Sequence, residues 1–237
     1  MTHLRLGNIT VDVLQKDIRN IHLSVYPPTG RVRISAPTRF DLDTIRVFAI
    51  SKLSWIKKQQ TKLRNQEREA PREFLNRESH YFKGKRYLLK IIENDAVPRV
   101  ELKHSKIKLY VRPQTSKEKM KYILDEWYRS QLKASLPTLI EKWAKKMDVR
   151  VNEFGIKKMR TKWGTCNREA KRIWLNLELA KKPGECLEYI VVHEMVHLLE
   201  RHHNDRFISL INEFMPKWRF YKGELNRRPL RHENWSY

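Results

Sequence analysis

The tightest restriction on this chain's architecture is the pentapeptide His193-Glu194-Met195-Val196-His197. Two histidines four residues apart share one side of the backbone only in an α-helix, where about 3.6 residues complete a turn. Both Nε2 atoms can then reach one ion at about 2.0–2.1 Å. Glu194 is rotated about 100° from His193, so it stands beside such an ion without ligating it, placed to act on a water. Ile190, Val191, Val192, Val196, Leu198 and Leu199 make most of this helix apolar, which predicts partial burial of both imidazoles and of the carboxylate. An unpaired buried carboxylate is costly, and a neighbouring dication removes that cost.

Two imidazoles are one short of the three protein ligands usual at a catalytic zinc. His203 follows His197 by six residues, the spacing at which metzincins return a third histidine to the metal. Glu200 stands where metzincins have glycine, so the chain must turn differently here. His203 is the favoured third ligand. His202, Glu200, Glu213 on the following helix and Cys166 remain as alternatives.

Composition narrows the class. The 237 residues carry 50 Lys+Arg against 27 Asp+Glu, a formal net charge of +23, with 40% hydrophobic and 10% aromatic residues. That apolar content builds a core and excludes wholesale disorder. Two cysteines make neither a disulfide framework nor, alone, a structural zinc site. The first residues lack the basic and apolar regions of a secretory signal, and no apolar run approaches the length of a membrane span, so a soluble protein of the reducing cytoplasm is expected. The positive field attracts polyanions, which makes nucleic acid a possible partner. The cations form scattered pairs such as Lys57-Lys58, Lys145-Lys146 and Arg227-Arg228, however, with no single block and no zinc-finger or RRM motif.

Hydrophobic periodicity predicts an α+β fold without internal repeats. A hairpin is expected from Ile21, Leu23 and Val25 through Pro27-Pro-Thr-Gly30 to Val32 and Ile34, then one helix over about 41–66 and a loop over 67–79. Short strands follow at 81–82, 87–91, 100–102 and 107–111. A long helix over about 116–147 contains Pro137, which bends or splits it. Strands at 159–166 and 172–177 precede the helix of the His-Glu pattern, and a final helix starts near Asp205 with Asn204 as its cap. This divides the chain near residue 115 into a β-rich N-terminal region, 1–115, and a catalytic region, 116–237, although one compact unit also fits.

Four separated segments in order, Arg160-Thr-Lys-Trp-Gly-Thr-Cys166, Ile173-Trp-Leu-Asn-Leu177, Tyr189 to Leu198 and His203-Asn-Asp-Arg-Phe207, resemble the YgjP-like metallopeptidase family, a zincin group related to the SprT-like proteases. The resemblance extends to Arg31-Val-Arg-Ile-Ser-Ala-Pro and the helix bearing Trp55-Ile56. Thr165 stands where the family usually has serine, and Ile208 where an aromatic is common. The resemblance implies a zincin-like fold with one Zn²⁺ per chain, ligands His193, His197 and His203, and Glu194 as the catalytic carboxylate; it does not name the substrate, for which a protein or peptide is expected. Arg160, Lys162, Trp163 and Gly164 are candidates for the substrate rim. In that reading the strand pairs with extended substrate, Gly164 permits close approach, and the cations polarise a carbonyl or oxyanion; the plain alternatives are a solvated strand face, core tryptophans and a bulge. Two further functions fit the same residues: a protease acting on proteins bound to nucleic acid, and a zinc-stabilised binding module without catalysis.

Overall fold

The computed structural model describes residues 2–26, 29–64, 72–159 and 162–227. They form two compact units, one ending at Pro71 and one spanning Arg72–Arg228.

In the first unit, β1 (Thr2–Leu6) pairs antiparallel with β2 (Ile9–Lys16), and β3 (His22–Tyr26) with β4 (Arg31–Pro37). β2 and β4 run parallel, giving the order β1-β2-β4-β3. The expected hairpin is β3–β4, with Pro27 and Pro28 outside the described residues; the β1–β2 hairpin was not anticipated. The predicted helix over 41–66 is two, α1 (Leu42–Ser51) and α2 (Leu53–Arg64), and residues 65 and 66 lie outside the described residues. Asp41 caps α1 by accepting from the Thr44 amide at 2.7 Å. α1 ends at Lys52, whose N–H turns back to the Ala49 and Ile50 carbonyls. Val11, Val32, Ile34, Ile45, Ala49 and Ile56 fill the core.

The second unit opens with the same plan. β5 (Ser79–Phe82), β6 (Lys85–Glu93), β7 (Arg99–Lys103) and β8 (Lys106–Val111) stand in the order β5-β6-β8-β7, again antiparallel, parallel, antiparallel. A capped helix follows here too: α3 (Lys117–Met147), with Ser116 accepting from the Lys119 amide at 3.3 Å. The expectation of no internal repeat is therefore corrected at the level of topology. What recurs is the in–out alternation of apolar residues, which leaves side-chain identity free. Pro137 lies inside α3 without splitting it. It sits on the exposed side, where the Lys133 carbonyl that loses its N–H partner can turn to water.

Leu89, Ile107 and Leu109 of this sheet share one core with Leu124 and Tyr128 of α3 and with the later helix residue Val191. Residues 79–111 thus belong with the chain that follows them, and the compact units divide after Pro71 rather than at 115. Burial, invisible to composition along the chain, sets that division.

β9 (Glu153–Lys157), β10 (Gly164–Asn167) and β11 (Arg172–Asn176) form a third sheet, β10-β11-β9, with β11 and β9 parallel. β9 was not anticipated, because Gly155 interrupts its pattern. Gly155 is needed there: a Cβ would lie 2.0 Å from the Trp174 ring. The strand expected from Met159 begins only at Gly164. A 3-10 helix (Leu177–Lys181) leads into α4 (Gly184–Leu199), α5 (Asp205–Phe214) and α6 (Trp218–Arg227), the last also unanticipated. No helix among the described residues is long and apolar enough to cross a membrane.

Candidate active site

α4 carries the His-Glu pattern and is buried on most sides, through Leu187, Ile190, Val191, Val192, Met195 and Val196. Its last two turns leave His193 and His197 half-exposed on one side, ring centroids 5.1 Å apart, and bury Glu194 to 5% exposure. Beyond Leu199 the chain reverses. The Glu200 carboxylate accepts from the His202 amide at 3.0 Å, and Asn204 caps α5 by accepting from the Phe207 amide at 3.0 Å. This turn, made without the metzincin glycine, brings His203 back. Its Nε2 lies 3.0 Å from His193 Nε2, and His193, His197 and His203 each offer a nitrogen within 4.8 Å of the others. Phe207, 2% exposed, packs against all three rings with centroids at 5.0, 4.8 and 4.6 Å.

These rings are tuned to be neutral. Burial pushes His193 down to about 3, helped by His197, His203 and Lys222. Burial also lowers His197, and burial followed by Lys222 lowers His203. A neutral imidazole offers a lone pair to a metal. His197 Nδ1 lies 3.1 Å from the Glu200 carbonyl, a contact that fixes the ring and, with the proton on Nδ1, leaves Nε2 to bind. The donor set therefore fits a divalent ion. Among the described residues no other His, Cys, Asp or Glu joins this cluster. His202, Glu200 and Glu213 stand outside it, and burial raises the half-buried Cys166 to about 11, which keeps it a thiol.

Glu194 faces β10. A Cβ on Gly164 would stand 2.6 Å from Glu194 Oε1, so this glycine is what lets the strand approach the carboxylate. Burial pushes the Glu194 carboxyl up to about 8, against the opposing pull of Lys162. The cluster opens into a cleft of about 1250 Å³ to which Lys162, Trp163 and Gly164 all contribute. Arg160, the fourth candidate for the rim, lies outside the described residues.

Sequence reasoning missed several contributors. Asn176, 5% exposed, donates Nδ2 to the Met159 and Lys162 carbonyls, both at 2.8 Å, and accepts from the Glu178 amide at 3.2 Å. It holds the segment entering β10 in place, and its position between a strand and a helical turn was a readable capping signal. Tyr189, Trp218 and Lys222 also line the cleft, the first two ring-stacked at 6.3 Å. Trp218 and Lys222 belong to the unanticipated α6, and only tertiary packing brings them here.

Neutral nitrogen donors gathered beside a desolvated carboxylate, at the floor of an open cleft, are the equipment of a metallopeptidase. The sequence assigns the family: the YgjP-like metallopeptidase domain matches residues 19–228, and the chain belongs to that family. Membership implies a metal ion and a peptide or protein substrate. No curated protein sequence matches the chain significantly. Two solved structures share a partial likeness. The metallopeptidase zymogen jannalysin of Methanocaldococcus jannaschii is 16% identical, with a TM-score of 0.35 over 38% of this chain and 93% of that one. The zymogen abylysin of Pyrococcus abyssi is also 16% identical, with a TM-score of 0.35 over 40% of this chain and 98% of that one.

Proposed function

We propose that this chain is a zincin-like, zinc-dependent peptidase in which His193, His197 and His203 hold one Zn²⁺ and Glu194 is the general base and acid. The observation that carries the reading is the convergence of three imidazole nitrogens within 4.8 Å beside a carboxylate that is 5% exposed. Zinc suits an all-imidazole set with room left for solvent, and when bound it supplies a Lewis acid that polarises a carbonyl and lowers the pKa of water.

The chain's own residues do the rest. Glu194 accepts a proton from the attacking water and hands it to the leaving amine. Its burial favours the protonated form, and a dication bound beside it would favour the carboxylate. Gly164 sets the carboxylate against β10, while Lys162 and Trp163 on the cleft wall meet substrate. β10 is an edge strand, so an extended peptide can add to it by main-chain hydrogen bonds.

The test is Glu194→Gln, compared with wild type by metal content and by digestion of casein and a peptide library. Loss of turnover with zinc retained is expected. Retained activity places the base elsewhere, and no cleavage by either protein favours the non-catalytic binding module.

A further inference from the structure

Cations scattered along residues 86–108 in sequence meet on one surface of the fold. Register partners in a sheet share a face, and in β5-β6-β8-β7 Leu89, Ile107 and Leu109 turn to the core. The opposite face therefore carries Arg86, Lys90, Arg99, Lys103, Lys106 and Lys108, five of them exposed and Lys108 half-buried. A single carboxylate, Glu101, shares this face, and it accepts from the Tyr110 hydroxyl at 3.0 Å. Among the described residues none of the six cations forms an ion pair with a carboxylate.

Rings and aliphatic side chains lie between the charges. The Arg99 guanidinium stands 3.9 Å from the Tyr110 ring centroid, while half-buried Tyr81, Leu88 and Ile92 fill the gaps. The first sheet repeats the motif in weaker form. Arg33 lies 5.4 Å from the Tyr26 ring on the side away from its core, but Asp12 there takes up Arg31 and His3.

We propose that the outer face of β5-β6-β8-β7 binds an extended single-stranded polynucleotide. Lys106 and Lys108 are about 6.6–6.8 Å apart along β8, and Arg86 and Lys90 along β6 and Arg99 and Lys103 along β7 about twice that. Lys90 faces Lys108 and Lys103 faces Lys106 across strands about 4.8 Å apart, so a phosphate chain laid over them meets several at once. Arg99, stacked on Tyr110, offers a planar cation to a base, and Tyr81 offers a ring; stacking of this kind tolerates any base sequence. A duplex fits less well, because four strands span about 14 Å and the major groove is about 12 Å wide. A membrane fits less well too, because none of the large exposed apolar side chains lies on this face to insert among lipids. The inference rests on the placement of charge and does not depend on the peptidase reading.

The test is fluorescence anisotropy of a labelled 20-nucleotide oligouridylate titrated with the full-length, zinc-loaded protein from 50 to 200 mM salt. Combined Lys90→Glu, Lys106→Glu and Lys108→Glu should weaken binding at least tenfold. It should also flatten the plot of log affinity against log salt by about 2, since each phosphate contact contributes about 0.7. Tyr110→Leu should weaken binding several-fold with the salt slope unchanged. Lys52→Glu, Lys57→Glu and Lys58→Glu, exposed residues of the other unit, change net charge equally and should leave affinity within threefold. An equal loss in that control reduces the effect to net charge and overturns the proposal. Tighter binding to a duplex of the same length, or binding to vesicles containing phosphatidylserine but not to the oligonucleotide, overturns it as well.

Discussion

Replacing Gly164 with alanine isolates one contact on which the proposed chemistry depends. The new methyl carbon would stand 2.6 Å from Glu194 Oε1, 2.7 Å from Cγ and 2.9 Å from Cδ. Unstrained contacts to carbon lie at about 3.5–4.0 Å, so the carboxylate must retreat by about 1 Å. There is little room to do so: Glu194 is 5% exposed, and Val191 and Met195 on the same helix are fully buried. A misplacement of about 1 Å in a group that must meet the reacting atoms costs on the order of 10²-fold. That equals about 2.7 kcal/mol of barrier, expected in kcat/KM on a peptide taken from the library digest. Metal content should be unchanged, because the three atoms nearest the added carbon all belong to Glu194, which is not a ligand in this reading. Gly184→Ala is the control: a Cβ there has nothing within 4 Å, so the rate should be unaffected. A Gly164→Ala protein that keeps its metal and cleaves within threefold of wild type would refute the idea that this close approach positions the carboxylate.

Stripping the metal with a chelator should lower the melting temperature of the Arg72–Arg228 unit by about 5–11 °C relative to protein at a hundredfold excess of zinc over Kd, the equivalent of about 2.7 kcal/mol of binding linkage in a domain of this size; identical scans would mean that the imidazoles hold no ion. His203→Ala should weaken zinc binding by more than 100-fold in a competition titration, beyond the 10–100-fold typical of changes to outer-shell partners, and unaltered affinity would reopen the case for His202 or Glu200. His80 supplies a pH test away from the cleft. Burial, with Arg72 and Lys181, lowers it to about 3 against 6.5 in the unfolded chain, outweighing the Glu78 carboxylate 3.1 Å from its Nε2. Below pH 6.5 the unfolded state therefore binds a proton that the native state refuses, and stability falls as pH drops, by up to about 1.4 kcal/mol per unit until about pH 3. His80→Gln should flatten the slope of unfolding free energy between pH 6 and 4 by about that amount; parallel curves would contradict the assignment.

The part of the site that rests on local geometry was legible in the sequence. The helical spacing of His193, Glu194 and His197 and the cap at Asn204 follow from the period of a helix and from one side chain reaching one backbone amide. Separate helices α1 and α2 were not legible, because the break at Lys52 is a backbone turn with no glycine or proline to announce it. Nor was β9 legible, since Gly155 reads as an interruption until Trp174 is seen lying over it.

The sequence by itself determined that a helix would present two imidazoles on one side with a carboxylate a third of a turn away, because that depends on nothing but the rise and twist of the backbone. Tertiary structure alone decided that β5–β8 belong with α3 and α4, that Gly164 packs against Glu194, and that α6 closes part of the cleft. It also gathered scattered lysines and arginines onto one face of a sheet. Each of these joins residues far apart in the chain, and what joins them is the burial of apolar surface, a property of the folded whole that no short window of sequence contains.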